Sequence, residues 1–290
     1  MAPSINVIPH MVGRFPVAEV PECDIQRLRL YASWGEWPPD AIQKLLSYSL
    51  PDPTLTLFRW FAVSIPSVPL TYNERFASKY QRTVGYVAIN HDLTSVCLVF
   101  RGTTDIAEAL TDMKFLMKRW PKWVKNSHVH AGFLDSFDDV GNRLYCKIRE
   151  LLHMYPEYHL TIVGHSMGAA IASITAVDFV HRNQHLAHKV RVVTFGKPRV
   201  GNQPYIEHYN SLNLDSLSVV NQNDVVPHLP PRLIGYRHED GEVWIKPGES
   251  GRKATYYPQV DNKPNPHGFL SVKPRDFTTK DHHWVWDVEM

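Results

Sequence analysis

The chain has 290 residues, within the range of a single α/β domain, and hydrophobic residues make up 43% of it, enough for a large core. The 31 Lys plus Arg nearly balance the 29 Asp plus Glu, leaving no electrostatic case for nucleic acid as a partner. Cys23, Cys97 and Cys146 are too few and too scattered for a disulfide framework or a zinc site, so no metal is implied, and no run reaches the ~18 apolar residues of a membrane span.

The first residues lack the basic and apolar regions of a signal peptide, so the chain as written looks intracellular, or like a secreted domain without its signal. Residues 22–48 read as one or two helices broken near Pro38-Pro39, and residues 1–80 as an N-terminal helical segment. Two β-rich runs follow, VGYVAI (84–89) and SVCLVFR (95–101), and Asn90-His91-Asp92 between them predicts a hairpin. Asp105 and Glu108 have capping-box spacing ahead of an apolar stripe formed by Ile106, Leu110, Met113 and Met117. The next loop, Lys118 to Lys125, mixes cations with Trp120 and Trp123, which suits either an anionic lipid surface or two half-buried tryptophans.

From about Leu134 to Met154, Phe137, Val140, Leu144, Ile148 and Leu151 recur at helical spacing and predict one amphipathic helix. Cys146 within it and Cys97 in its apolar run read as small core residues. Then come strand HLTIVG, helix GAAIASITAVDFVHR, strand VRVVTFG, a short helix near Tyr205 to Leu212, and strand DSLSVVN. Beyond Asp224 the chain is loop-rich, with one strand expected at GEVWIKP (241–247). This alternation predicts an α/β fold whose mostly parallel central sheet is covered by helices on both faces. No repeat or linker divides the chain, so residues 1–290 are expected to form one domain, its core spanning 80–290.

Residues 164–168 read Gly164-His165-Ser166-Met167-Gly168. A G-x-S-x-G pentapeptide is weak evidence alone, but here a strand leads in and a helix leads out. That is the context of a nucleophile elbow, whose sharp turn presents a serine hydroxyl above the sheet. Ser166 is the expected nucleophile, and the N–H of Met167 an expected oxyanion donor. His165, on the same tight turn, is expected to pack beneath the elbow.

With these residues in place, the chain resembles the class 3 lipases, the fungal triacylglycerol lipases and feruloyl esterases of the α/β-hydrolase fold. The segments that carry the resemblance are LVFRGT (98–103), VHAGFLDSF (129–137), YPEYHLTIVGHSMGAA (155–170), FGKPRVGN (195–202) and NDVVPHLPP (223–231), which occur in family order. Thr103 stands where the family often has Ser, and Met167 where it usually has Leu.

A serine hydroxyl needs a base to take its proton and an acid to orient that base. The chain order of this fold is Ser, acid, His. Asp224 ends the strand after the nucleophile and precedes a stiff proline-rich segment, and the resemblance selects the same residue. Asp215 lies at the wrong end of that strand. Downstream, His228, His238, His267, His282 and His283 are all candidates for the base. The resemblance aligns His282, in Asp281-His282-His283-Trp284, with the family's catalytic histidine. It also implies Thr103 as the second oxyanion donor and Ile106, Leu110 and Met113 as part of a movable lid. His130 and Arg199 lie in family motifs and are read as structural. The implied activity is carboxylic-ester hydrolysis without a cofactor, with an acylglycerol or another ester as substrate and a lipid–water interface as a possible site of action. A soluble aromatic or small ester, a phospholipase A1 activity, and a non-catalytic scaffold are the alternatives.

Overall fold

A computed structural model describes residues 18–19, 70–77, 83–103, 106, 114–248, 254–258, 265–285 and 288–290. Among these, nine strands form the main sheet: β1 (Ala18–Glu19), β2 (Leu70–Ala77), β3 (Val84–Asn90), β4 (Ser95–Phe100), β5 (His159–His165), β6 (Val190–Phe195), β7 (Asp215–Asn221), β8 (Glu242–Ile245) and β9 (Thr255–Tyr257), in the order β1-β9-β8-β7-β6-β5-β4-β3-β2. The five strands from β4 to β8 are mutually parallel, and the strands outside them are antiparallel. The fold is that of the α/β hydrolases.

The central strands are apolar at nearly every position because both faces of the sheet are covered. Along β4, Val96, Leu98 and Phe100 point into one cluster, while Cys97 and Val99 point into another. The first cluster also takes the apolar stripes of α1 (Ala131–Asp138), α2 (Gly141–Met154), α3 (Met167–Arg182) and α4 (Gln203–Ser211). Helix α3 is apolar around most of its surface and is buried from Gly168 to Val180, which places it against the sheet rather than at the surface. Each Leu, Ile, Val or Phe buried in this way stabilises the fold by about 1.5–3 kcal/mol.

Four expectations are corrected. The helix expected over 134–154 is two helices. Val140 leaves the helical region at φ −127°, and the Gly141 backbone lies so close to the Phe137 ring that a Cβ there would sit 2.7 Å from it. The break lets Phe137, Val140 and Leu144 all reach the core. Within the expected helical segment 1–80, the described residues 70–77 form strand β2, paired with β3; the helices expected over 22–48 lie outside the described residues. Cys146 is exposed rather than in the core, because α2 buries Gly141, Leu144, Ile148 and Leu151 on its other side.

Met117 does not continue a helical stripe from Ile106. It opens the short strand Met117–Arg119, which belongs to a second sheet with His128–His130, Gly201–Asn202 and Tyr236–Arg237. Ile106 is helical and 3% exposed; Leu110 and Met113 lie outside the described residues. After that strand, Trp120 packs on the core, while the half-exposed Trp123 stacks on His181 with ring centroids 3.5 Å apart.

Candidate active site

Strand β5 delivers Ser166 into a turn at φ 55°, ψ −126°, a conformation a non-glycine residue adopts only under strain. The turn is held by the Ser166 N–H donating to the Phe195 carbonyl at 3.0 Å. It also needs two bare backbones. A Cβ on Gly164 would lie 2.4 Å from the Gly168 carbonyl oxygen, and one on Gly168 would lie 2.6 Å from that of Arg101. Strand and helix therefore cross at a distance only glycine permits, which is why the pentapeptide needs its glycines.

The end of β4 runs alongside this turn, since Phe100 pairs with Gly164. A Cβ on Gly102 would sit 3.2 Å from the Ser166 Cβ, so the residues just beyond β4 touch the elbow. Thr103 follows directly, and its hydroxyl lies 3.9 Å from the Met167 sulfur. Met167 is the first residue of α3, where backbone N–H groups have no intrahelical carbonyl to meet and the helix dipole is positive. Thr103 and Met167 thus flank Ser166 on the side where an oxyanion could be received.

Asp224 and His282 meet beside the elbow. The Nδ1 of His282 lies 2.8 Å from Oδ2 of Asp224, both residues being 1% exposed. The other carboxylate oxygen, Oδ1, accepts the Val226 N–H at 2.8 Å. A carboxylate only accepts, so Nδ1 is the donor and Nε2 of the neutral ring is left with its lone pair. That Nε2 is buried and has no hydrogen-bond partner among the described residues. It is an unused acceptor next to the turn that carries the Ser166 hydroxyl.

The loops that carry Asp224 and His282 are laced together. The Asp224 backbone bridges Thr278 in parallel fashion, Thr278 donates its N–H to Asn223 at 3.0 Å, and Asn223 donates its own to Oδ2 of Asp281 at 3.1 Å. Burial, with Asp224 nearby, raises the Asp281 pKa above the ordinary carboxylate value. Gly196, at φ 53°, leaves the space the pair occupies: a Cβ there would lie 2.7 Å from the His282 ring and 2.8 Å from Oδ2 of Asp224. Gly196→Ala is therefore expected to cost activity about 10²-fold or more through displacement of the imidazole. Turnover per folded molecule checks this, and near-normal turnover would mean that the pair tolerates the shift.

The other candidate histidines have different partners. His283 packs edge-on against His282 at 6.0 Å between ring centroids, and His228 packs on Phe277 at 4.0 Å. His238 lies against the Pro227 carbonyl at 2.7 Å, and the His267 N–H bonds to Asn265. Asp215 pairs with Arg191 at 2.6 Å, at the far end of β7. His130 is structural, as expected: its Nδ1 accepts the N–H groups of Gly132 and Phe133 and caps α1, and burial lowers its pKa to about 4 so that it stays neutral. Arg199 ties loops, donating to the carbonyls of His228 and Pro230.

Ser166, Asp224 and His282, singled out in the sequence, come together here, but their surroundings had little sequence signal. Gly196 was hidden in an ordinary strand end, and its only signal was a glycine at the tip of a β-strand next to the nucleophile strand. No spacing signalled that His165 Nε2 lies 2.9 Å from the His282 carbonyl oxygen.

The sequence model of the family Lipase (class 3) matches residues 97–234. A lipase of Rhizopus niveus is 37% identical over 176 residues, which are 60% of this chain and 45% of the relative. The chain thus matches less than half the length of that relative. Among solved structures, lipase II from Rhizopus niveus is similar with a TM-score of 0.79 and 28% identity, over 94% of this chain and 98% of that one. A triacylglycerol lipase whose catalytic centre is formed by a serine protease triad is similar with a TM-score of 0.78 and 26% identity, over 94% and 98% of the two chains.

Proposed function

Because this chain belongs to the class 3 lipase family, we propose that it is a carboxylic-ester hydrolase, acting on acylglycerols through an acyl-enzyme on Ser166. One observation carries the reading: Asp224 binds Nδ1 of His282 at 2.8 Å, which leaves a buried lone pair on Nε2 beside a strained serine. In this mechanism Nε2 takes the Ser166 proton as the hydroxyl attacks the ester carbonyl. Asp224 stabilises the imidazolium that forms. The N–H groups of Met167 and Thr103 receive the oxyanion, at ~3 kcal/mol each. The imidazolium then gives its proton to the leaving alcohol, and water repeats the sequence to release the acid. Water supplies the proton that returns through His282 to the Ser166 oxygen, so each turnover restores the triad. A fluorophosphonate probe tests the assignment: it should label wild type at Ser166 and leave Ser166→Ala unlabelled, and labelling of that variant would overturn it.

The acylglycerol assignment, and action at a lipid–water interface, rest on an exposed apolar patch. Leu233 is 99% exposed, Leu116 65% and Ile234 49%. The two segments adjoin, since the Tyr236 hydroxyl donates to the Leu116 carbonyl at 3.3 Å. Lys114, Lys118, Arg119 and Arg232 flank them in sequence, which suits anionic lipid. Ser166 itself is only 3% exposed, so an ester chain reaches it only after something moves. We assign that movement to a lid containing Ile106, Leu110 and Met113. Opening it exposes apolar surface at ~25 cal/mol per Å², which water opposes and lipid does not.

Activity is expected to jump as a substrate passes its solubility limit. Leu233→Asp should weaken binding to anionic vesicles about tenfold, the cost of losing one apolar side chain from the contact, and leave hydrolysis of a dissolved short-chain ester intact. Ordinary saturation through the solubility limit would sink the interfacial reading and favour a soluble ester.

A further inference from the structure

We propose that His165 and Asn221 are positioning residues, which grip the peptide of His282 from two sides and so fix its imidazole relative to Ser166; this rests on the triad reading above. The Nε2 of His165 lies 2.9 Å from the His282 carbonyl oxygen, and the Asn221 side-chain amide donates to the preceding carbonyl, that of Asp281, at 3.1 Å. A carbonyl only accepts, so Nε2 of His165 carries the proton. Burial, with His282 alongside, holds the His165 pKa well below its ordinary value, so it stays neutral and presents this single donor.

Both grips come from strands of the sheet. His165 is the last residue of β5, immediately before Ser166, and Asn221 is the last residue of β7, three residues before Asp224. The His282 segment itself is a single 3-10 turn, Lys280–His282, followed by the two-residue strand Trp284–Val285. Such a short element has little rigidity of its own, and it borrows rigidity from the strand ends that carry the nucleophile and the acid. The His165 ring adds a second contact, lying 4.5 Å from the His282 ring at a tilt of 31°. On the other side of His165 the Gly102 backbone packs close to the ring, since a Cβ there would come within 2.6 Å of its Nδ1. One residue therefore sets the base against both the elbow and the loop leading to Thr103.

This assignment separates rate from binding. Neither residue is positioned to touch substrate, so loosening the imidazole should lower kcat and leave KM alone. His165→Phe keeps a ring and removes the donor; His165→Gln places an amide N–H near the position of Nε2; Asn221→Ala removes the second grip. Turnover of a dissolved short-chain ester is measured per active site titrated with a fluorophosphonate, which excludes misfolded molecules from the count. His165→Phe is expected to lose about 30-fold in kcat with KM within about twofold of wild type, in line with the cost of sub-ångström misplacement. His165→Gln should recover to within about fivefold of wild type, and Asn221→Ala should lose about tenfold in kcat at constant KM. Wild-type kcat in His165→Phe, or a loss that His165→Gln does not relieve, would overturn the proposal. Should His165→Phe yield no folded protein, Asn221→Ala decides the question, and unchanged kcat there would overturn it. Probe labelling that persists in Ser166→Ala would overturn the triad reading itself and this proposal with it, an outcome distinct from every kcat result above.

Discussion

Ser166→Ala is expected to lose at least ~10³-fold in turnover, about 4 kcal/mol of barrier, while keeping its fold. The substitution deletes one oxygen and retains the Cβ, so the strained turn at φ 55° and the Phe195 hydrogen bond have no new demand placed on them. Its thermal midpoint should stay within a few degrees of wild type. What persists is catalysis by the oxyanion donors and by substrate binding alone. Circular dichroism establishes the fold and ester hydrolysis the rate. A folded Ser166→Ala protein with near-wild-type rates would remove Ser166 from the mechanism.

The second large effect belongs to the buried pair. His282→Ala should be nearly as inactive as Ser166→Ala, and the double variant little worse, because residues that act on one proton do not contribute additively. Asp224→Asn should lose up to about 10⁴-fold. An amide in place of Oδ2 would donate toward Nδ1, forcing the proton to Nε2 and turning the base into the wrong tautomer. His283→Ala should keep most activity, since its ring lies 6.0 Å from that of His282 and Oδ2 of Asp224 is taken by His282. Full activity in His282→Ala, with loss in His283→Ala, would mean the neighbouring ring is the base.

The strand–serine–helix turn, the parallel core strands and Asp224 were legible in sequence because each is a local pattern. Val96 to Phe100 is a continuous apolar run, and Leu160 to Val163 is broken only by the buried Thr161, because both faces of these strands are buried and that demand acts residue by residue. Gly164 and Gly168 are legible for a similar reason: a crossing where an added Cβ would lie 2.4–2.6 Å from a carbonyl oxygen admits no side chain. Helix boundaries were less legible. The break at Val140 leaves the apolar spacing of α1 and α2 nearly in phase, so periodicity alone runs through it. The same holds for Met117, whose spacing from Ile106 fits a helix while its backbone pairs with His130 as strand.

The base shows where the boundary lies. By itself the amino-acid sequence determined the kind of site: a serine on an elbow, an acid after the next strands, and a histidine somewhere beyond. Five histidines met that last condition, and only family resemblance ordered them. Only the tertiary structure brings one of them, His282, onto Asp224, because such a meeting is a matter of distance and desolvation between residues far apart in the chain. His282 is 58 residues from Asp224 and 117 from His165, yet it lies 2.8 Å and 2.9 Å from their polar atoms. No periodicity encodes such contacts. They arise because strand ends of one sheet converge on the same edge, and a short C-terminal turn, too small to be rigid alone, is pinned where they meet.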